Sequence, residues 1–113
     1  MRVGMSKKKS VIPDEAPTIL DMAKDLVYGD RAKTYGHPAE NFQVTAEMWT
    51  AYLRQRMATE GVEISSFVLT PEDVAMFMAM VKIARLANTP GHIDSLIDLA
   101  GYAATAARCL EAA

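Results

Sequence analysis

The stretch Val74–Ala87 constrains the fold of this chain more than any other feature, because Lys82 and Arg85 are its only charges. The preceding residues Thr70–Asp73 have the form of a helix start, with an N-cap threonine, a proline at the first position and acidic residues in the first turn. A helix that is apolar almost all round must lie centrally or against another subunit. The sequence therefore predicts a largely buried helix and a homo-oligomer.

Helical spacing predicts three further helices. The first begins at Thr18, which forms a capping-box pattern with Asp21, and it ends at Gly29. The second begins at Pro38 and stops at Gly61. Its apolar side is expected to carry Phe42, Thr45, Trp49, Tyr52 and Leu53. The last helix runs from about Ile93 to Leu110. Residues 28–38 break every periodicity and are predicted to form a loop.

The remaining segment, 62–69, could pass for a strand, but the chain offers no partner strand, so an extended loop is expected. The predicted fold is all-α, a four-helix, bundle-like single domain over residues 18–113. Residues 1–17, with four basic and two acidic side chains, are predicted to form a flexible basic tail.

Composition excludes several functional classes. The chain has 113 residues, a net charge of −2 and one cysteine, Cys109, so neither a disulfide scaffold nor a zinc site is expected. No stretch approaches the ~20 apolar residues of a membrane span, and the charge argues against nucleic-acid binding. These features favour a soluble protein of the cytoplasm.

The last helix carries the first candidate site, since Asp94 and Asp98 are four residues apart and share one face. Gly101, Thr105 and Arg108 continue the same stripe. Helix-borne carboxylates at this spacing can hold Mg²⁺, which prefers oxygen ligands. The alternative is that this stripe is simply the solvated side of an amphipathic helix.

Two further sets of side chains could act on a ligand. Lys82 and Arg85 could clamp phosphates, or they could neutralise the aspartates of the last helix or extend to the surface. Glu72 and Asp73 could add metal ligands, although helix capping explains them equally well.

The loop over residues 28–38 is the third candidate. Arg31 and Lys33 could bind phosphate there, and Tyr28, Tyr35 or His37 could stack on a base. The alternative is a plain connector. Trp49 lies at helical spacing and is expected in the core rather than at a base.

Three stretches carry a resemblance to known families. They are Tyr28–Phe42 (YGDRAKTYGHPAENF), Thr70–Ala75 with Lys82–Arg85 (TPEDVA and KIAR), and Asp94–Ala103 (DSLIDLAGYA). Together they resemble a family of small, uncharacterised proteins of tailed phages and prophages, over about residues 19–110. The second and third stretches are more faintly similar to MazG-type all-α nucleoside-triphosphate pyrophosphohydrolases.

The MazG resemblance implies a Mg²⁺-dependent enzyme that binds its metal with carboxylates from two helices. It matches Asp98 to the aspartate of the second family motif, with Asp94 standing in for the glutamate at a different spacing. It implies Asp94 and Asp98 as catalytic residues. The first family motif, Glu-x-x-Glu, is incomplete here, because Ala75 or Met76 follows Glu72 or Asp73 where the second glutamate is expected.

Two functional hypotheses follow from the residues and the resemblance. One is a Mg²⁺-dependent pyrophosphohydrolase of the host-cell cytoplasm. The other is a non-catalytic phage accessory protein that sequesters a nucleotide, for example an immune signal, or inhibits a host defence protein. A purely structural or regulatory helical protein that binds partners through the apolar helix is a further alternative.

Overall fold

The structure, a computed structural model, describes residues 16–112 apart from the side chains of Arg31, Ala32 and Tyr35. The predicted basic tail therefore lies outside the described residues except for its last two positions. The described residues form five helices and no strand: α1 (Ile19–Tyr28), α2 (Asp30–Tyr35), α3 (Pro38–Thr59), α4 (Pro71–Asn88) and α5 (Ile93–Glu111). The all-α prediction and its four main helices are confirmed.

Capping interactions within three residues set where the helices begin. At α1 the Asp21 amide donates to Thr18 Oγ1 at 3.1 Å, and the Thr18 amide donates to Asp21 Oδ2 at 2.9 Å. The same reciprocal pair starts α4, between Thr70 and Asp73. Each pair supplies hydrogen-bond partners to backbone groups that a helix end leaves without them. Both starts follow from the sequence alone.

The prediction of a continuous loop over residues 28–38 is wrong, because residues 30–35 form the short helix α2. Six residues are too few for an apolar period to show in the sequence. Gly29 makes the corner between α1 and α2, where a Cβ would collide with the Asp25 carbonyl oxygen. Gly36 then leaves α2 with a φ of +86°, a conformation that favours glycine.

Among the described residues α5, rather than α4, has the most packing partners, so the central position considered for the apolar helix α4 is not found; α4 packs most extensively against α5 and also contacts α3. The pairing with α5 is antiparallel, since Lys82 contacts Asp98 while Glu72, at the start of α4, lies close enough to affect Cys109 near the end of α5. Helix α1 packs on α5 through Ala23 and Val27, which are buried. The core between α3 and α4 contains Ala46, Leu69 and Val74, with Phe42, Trp49 and Met78 packed against it.

The segment between α3 and α4 is a loop rather than a strand, as predicted, but it is not extended throughout, because the Phe67 amide donates to the Ile64 carbonyl at 2.9 Å and closes a turn. Side chains of α3 fix its end in place. Thr50 Oγ1 is buried; it accepts from the Leu69 amide at 2.9 Å and donates to the Ala46 carbonyl at 2.7 Å. Arg54 donates twice to the Phe67 carbonyl, at 2.9 and 2.7 Å. These bonds hold Leu69 in the core without a sheet.

One predicted core residue of α3 is misplaced. Trp49 packs its ring against Phe77 at a centroid distance of 5.7 Å, as expected of a core residue. Tyr52, assigned to the same side, is 71% exposed instead. Helix α3 packs mainly against one neighbour, α4. Its buried face is therefore narrower than the apolar pattern predicted. The predicted oligomer stays a prediction.

Candidate functional site

A cleft of about 340 Å³ opens between α1, the start of α3 and one face of α5. We call it the Arg108 cleft. Its apolar walls and polar groups come from Leu26, Val27, Gly36, Pro38, Asn41, Phe42, Asp98, Gly101, Tyr102, Thr105 and Arg108. A concave, mainly apolar site with a few convergent polar groups is the usual form of a small-molecule site.

The guanidinium of Arg108 is fixed by two contacts with the end of α1. Its Nη1 donates to the Val27 carbonyl at 3.0 Å, and its Cζ lies 5.0 Å from the centre of the Tyr28 ring. A guanidinium carries five N–H donors in a rigid plane, of which this hydrogen bond uses one. Arg108 is therefore a pre-positioned cation that can also hydrogen-bond an anionic ligand.

Four of the five residues of the predicted α5 stripe form one surface of this cleft, whereas Asp94, the first of them, does not line it. Asp98, Gly101, Thr105 and Arg108 all line it. Gly101 marks the place where α1 crosses α5, since a Cβ there would lie 3.6 Å from Val27 Cγ2.

Asp98 forms the ion pair that links the cleft to α4. Lys82 Nζ lies 3.1 Å from Asp98 Oδ2, and their side chains retain 22% and 34% of their exposed area. Neutralisation of an α5 aspartate was one of the alternatives for Lys82, and the structure confirms it. The carboxylate of Asp98 is thus compensated by a cation from α4.

A second, larger cavity of about 610 Å³ adjoins the first and shares Leu26 and Asp98 with it. We call it the acidic cavity, because four aspartates line it: Asp21, Asp25, Asp94 and Asp98. Sequence reasoning found the α5 pair but missed the α1 pair. Asp21 and Asp25 show the same four-residue spacing, yet Asp21 was fully explained as a cap.

Asp21 does serve as that cap, and its hydrogen bonds with the Thr18 backbone and side chain lower the pKa of its carboxyl. Across residues 16–112, no group of three or more His, Cys, Asp or Glu side chains is placed to hold a metal ion. The four carboxylates line a common cavity without converging on one point.

The metal-ligand set predicted from the sequence is divided between the two ends of the α4–α5 pair. Asp73 Oδ2 accepts from the Thr70 amide at 2.9 Å and from the Thr70 hydroxyl at 3.0 Å, so it caps α4. Glu72 lies near Cys109, where burial, with a smaller contribution from Glu72, raises the pKa of the thiol. Asp94 and Asp98 lie in the opposite half of α5. The structure does not bring the four together.

The other predicted phosphate-binding residues lie outside both cavities or outside the described side chains. Arg85 is exposed on α4 and lines neither cavity, and Lys33 is exposed on α2. The side chains of Arg31 and Tyr35 lie outside the described part of the structure. Of the predicted basic set, the structure therefore places only Lys82 beside the site, and it adds Arg108.

Comparison with known proteins identifies relatives over most of the chain. A family model described as "Domain of unknown function (DUF6378)" matches residues 18–110. The Gene 55 protein of Mycobacterium phage D29 is 42% identical over 94 residues, 83% of this chain and 54% of that protein. Its namesake in Mycobacterium phage L5 is 42% identical over 86 residues, 76% of this chain and 48% of that protein.

The chain thus spans about half the length of the phage proteins that it matches. A shorter segment of 40 residues is 45% identical to one component of the aspartyl/glutamyl-tRNA(Asn/Gln) amidotransferase of Corynebacterium diphtheriae, covering 35% of this chain and 8% of that protein. No solved structure matches. Within residues 16–112, none of the helices has the length and hydropathy needed to cross a membrane.

Proposed function

The chain belongs to the DUF6378 family, and we propose that it is a nucleotide-binding protein that holds its ligand in the Arg108 cleft. The observation that carries this proposal is the fixed guanidinium of Arg108 at one end of a cavity with apolar walls. A nucleotide combines a flat, weakly polar base with an anionic phosphate. The cleft offers partners for both parts.

The phosphate would bind at Arg108, because its unused N–H donors match phosphate oxygens in a planar fork. The base would lie along the walls formed by Leu26 and Phe42, near the Tyr102 ring. Thr105 lines the cleft on the same face of α5 and can donate or accept a hydrogen bond. The orientation keeps the phosphate away from the aspartates of the acidic cavity.

This arrangement favours binding without hydrolysis. Glu72 and Asp73, the first pair of predicted metal ligands, lie in the first turn of α4. Asp98 of α5 lies beside Lys82, in the second half of α4. A protein that binds a nucleotide but lacks a convergent metal site can sequester it. Because the relatives with long matches are phage proteins, we propose an accessory role in which the protein lowers the concentration of a free nucleotide in the infected cell, such as an immune signal.

The second candidate function is a Mg²⁺-dependent nucleoside-triphosphate pyrophosphohydrolase, and the acidic cavity is the observation that favours it. A triphosphate at this end would face four carboxylates, so a divalent cation would be needed to offset the repulsion. Asp94 and Asp98, joined by Asp21 and Asp25, are the residues that would hold it. Bound Mg²⁺ would polarise a phosphoryl oxygen.

Calorimetry and thermal shift with linear and cyclic nucleotides, each in Mg²⁺ and in EDTA, separate the two functions. Sequestration predicts a lasting shift that survives EDTA and no product by chromatography. The hydrolase predicts a shift that requires Mg²⁺ and decays as pyrophosphate appears. No shift with any nucleotide would contradict both and would turn attention to the remaining alternative, inhibition of a host defence protein.

Arg108→Met tests the residue that carries the proposal. Loss of charge-assisted hydrogen bonds worth about 1.5–3 kcal/mol should weaken binding by roughly 10- to 150-fold. Arg56→Met is the matched control, since Arg56 is an exposed arginine of α3 paired with Glu60. Arg85→Met tests the alternative phosphate clamp that the sequence predicted from Lys82 and Arg85. A loss of nucleotide binding in this variant would support that clamp instead of the Arg108 cleft.

A further inference from the structure

The outer face of α4 is apolar and largely exposed within residues 16–112, with the ring contact between Phe77 and Trp49 at one edge. Helices α3 and α5 cover one side of α4, where Val74, Ala75 and Ala79 are buried. Its other side exposes five large apolar residues: Met76 (42%), Phe77 (39%), Met80 (51%), Val81 (53%) and Ile83 (53%). We call these five, with the exposed Ala84 and Ala87, the α4 outer face.

This face is continuous and uncharged. On a helix that turns 100° per residue, these residues cover an arc of about 160°, with Ile83 at one edge and Val81 at the other. From Met76 to the end of α4, no charged residue lies within that arc. Met76, Met80, Ile83 and Ala87 follow the four-, three- and four-residue steps of a helix-packing seam. Single exposed apolar residues are ordinary, but a contiguous face of this kind marks an interaction surface.

We propose that the α4 outer face is a homodimer interface, in which α4 packs against α4 of a second copy about a two-fold axis. A two-fold interface places the same patch on both partners, so an uncharged apolar face meets an identical face and no charge is left unpaired. Helix pairs of this type approach to 8–10 Å. The small side chains of Ala84 and Ala87 permit that approach.

The exposed apolar area accounts for about three quarters of the surface that each partner buries in a standard interface. The ring contact between Trp49 and Phe77 joins the face to α3, where Tyr52 is 71% exposed one turn from Trp49. At about 200 Å² for a full side chain of this size, the five large residues and Tyr52 expose roughly 600 Å² per protomer. A standard interface buries about 800 Å² per partner, including its polar rim.

The absence of charge also distinguishes a second copy from a different protein. Interfaces between permanent, identical subunits are more apolar than those of transient complexes. The Arg108 cleft involves α1, the start of α3 and α5, and not the outer face of α4. Dimerisation and ligand binding would therefore use separate surfaces, and their tests are independent.

Light scattering of the full chain after size-exclusion chromatography should give twice the 12.4 kDa chain mass. Met80→Lys/Ile83→Lys should give a monomer that keeps its helical circular dichroism. The matched control is Val44→Lys, since Val44 is 59% exposed on α3 and is expected to leave the dimer intact. A monomeric wild-type chain at about 100 µM, or a double variant that stays dimeric, would overturn the proposal.

Crosslinking gives a second measurement if the lysine variants do not fold. Met80→Cys lies near the middle of the face and should be joined rapidly into a dimer by a short bismaleimide, whereas Val44→Cys should not. The native Cys109 is 3% exposed and is expected to remain silent. Equal crosslinking of the two variants would refute the interface.

Discussion

The ion pair between Lys82 and Asp98 allows a quantitative test of what holds α5 on α4. The charged atoms lie 3.1 Å apart, and the side chains are 22% and 34% exposed. Exposed pairs contribute about 0.2–1 kcal/mol, whereas breaking a fully buried pair costs about 3–5 kcal/mol. Partial burial places this pair between the two limits. Asp98→Asn should therefore lower the free energy of unfolding by about 1–2 kcal/mol.

A double-mutant cycle isolates the pair itself. We would measure urea unfolding of Lys82→Met, Asp98→Asn and the double variant by circular dichroism, at one fixed protein concentration. We expect a coupling energy of about 1 kcal/mol that persists in 1 M salt, because the pair is partly shielded from solvent. Because the free energy of unfolding falls by roughly 1–3 kcal/mol per molar urea, a variant that loses about 1 kcal/mol of stability should unfold at a midpoint about 0.3–1 M lower.

The control is the pair of Arg56 and Glu60 on α3, at 2.6 Å and with side chains 51% and 59% exposed. Its coupling should be about 0.3–0.5 kcal/mol and should fall with salt. The reasoning would be refuted if the Lys82 and Asp98 substitutions were additive within about 0.3 kcal/mol. Asp98 would then be free to act chiefly on a ligand.

Three other predictions concern single groups. Thr50→Val removes the acceptor of the Leu69 amide and should lower the free energy of unfolding by about 1–3 kcal/mol. Thr50→Ser keeps the hydroxyl and should lower it less. A Thr50→Val variant as stable as the wild type would contradict this prediction. Burial raises the pKa of the Cys109 thiol, so this thiol should react with Ellman's reagent at pH 8 only when the protein unfolds. The free energy of unfolding should also fall as the pH rises from the pKa of the thiol in the unfolded chain towards its higher pKa in the folded protein. Rapid labelling of the native protein would exclude that burial. Hydrogen bonds from Thr18 lower the pKa of the Asp21 carboxyl. The stability they contribute is therefore present above the pKa of Asp21 in the unfolded chain and is lost as the pH falls through its lower pKa in the folded protein. Circular dichroism during acid titration should show a smaller loss of stability in Asp21→Asn.

Much of the candidate site was accessible from local spacing. Asp98, Gly101, Thr105 and Arg108 share a face because residues three, four and seven apart lie on one side of any α-helix. The same rule could not select Arg108 over Arg85 as the ligand-facing cation. That distinction depends on α1 crossing α5, where the Val27 carbonyl receives the guanidinium.

The acidic cavity shows the limit of local reasoning more clearly. Asp25 and Asp94 are 69 positions apart in the chain, and they line one cavity only because α1 packs on α5. Each pair of aspartates on its own also fits an ordinary solvated helix face. Local spacing therefore identified candidates for one half of the cavity, and the packing supplied the other.

The sequence by itself determined the helix starts at Thr18 and Thr70, the end of the first helix at Gly29 and the all-α class. These features depend on contacts within a few residues, whose geometry is the same in every fold. Tertiary structure decided which cation pairs with Asp98, and which side of α4 is covered. Both depend on the docking of helices that are distant in the chain, and an almost uniformly apolar helix carries no pattern that distinguishes its two sides.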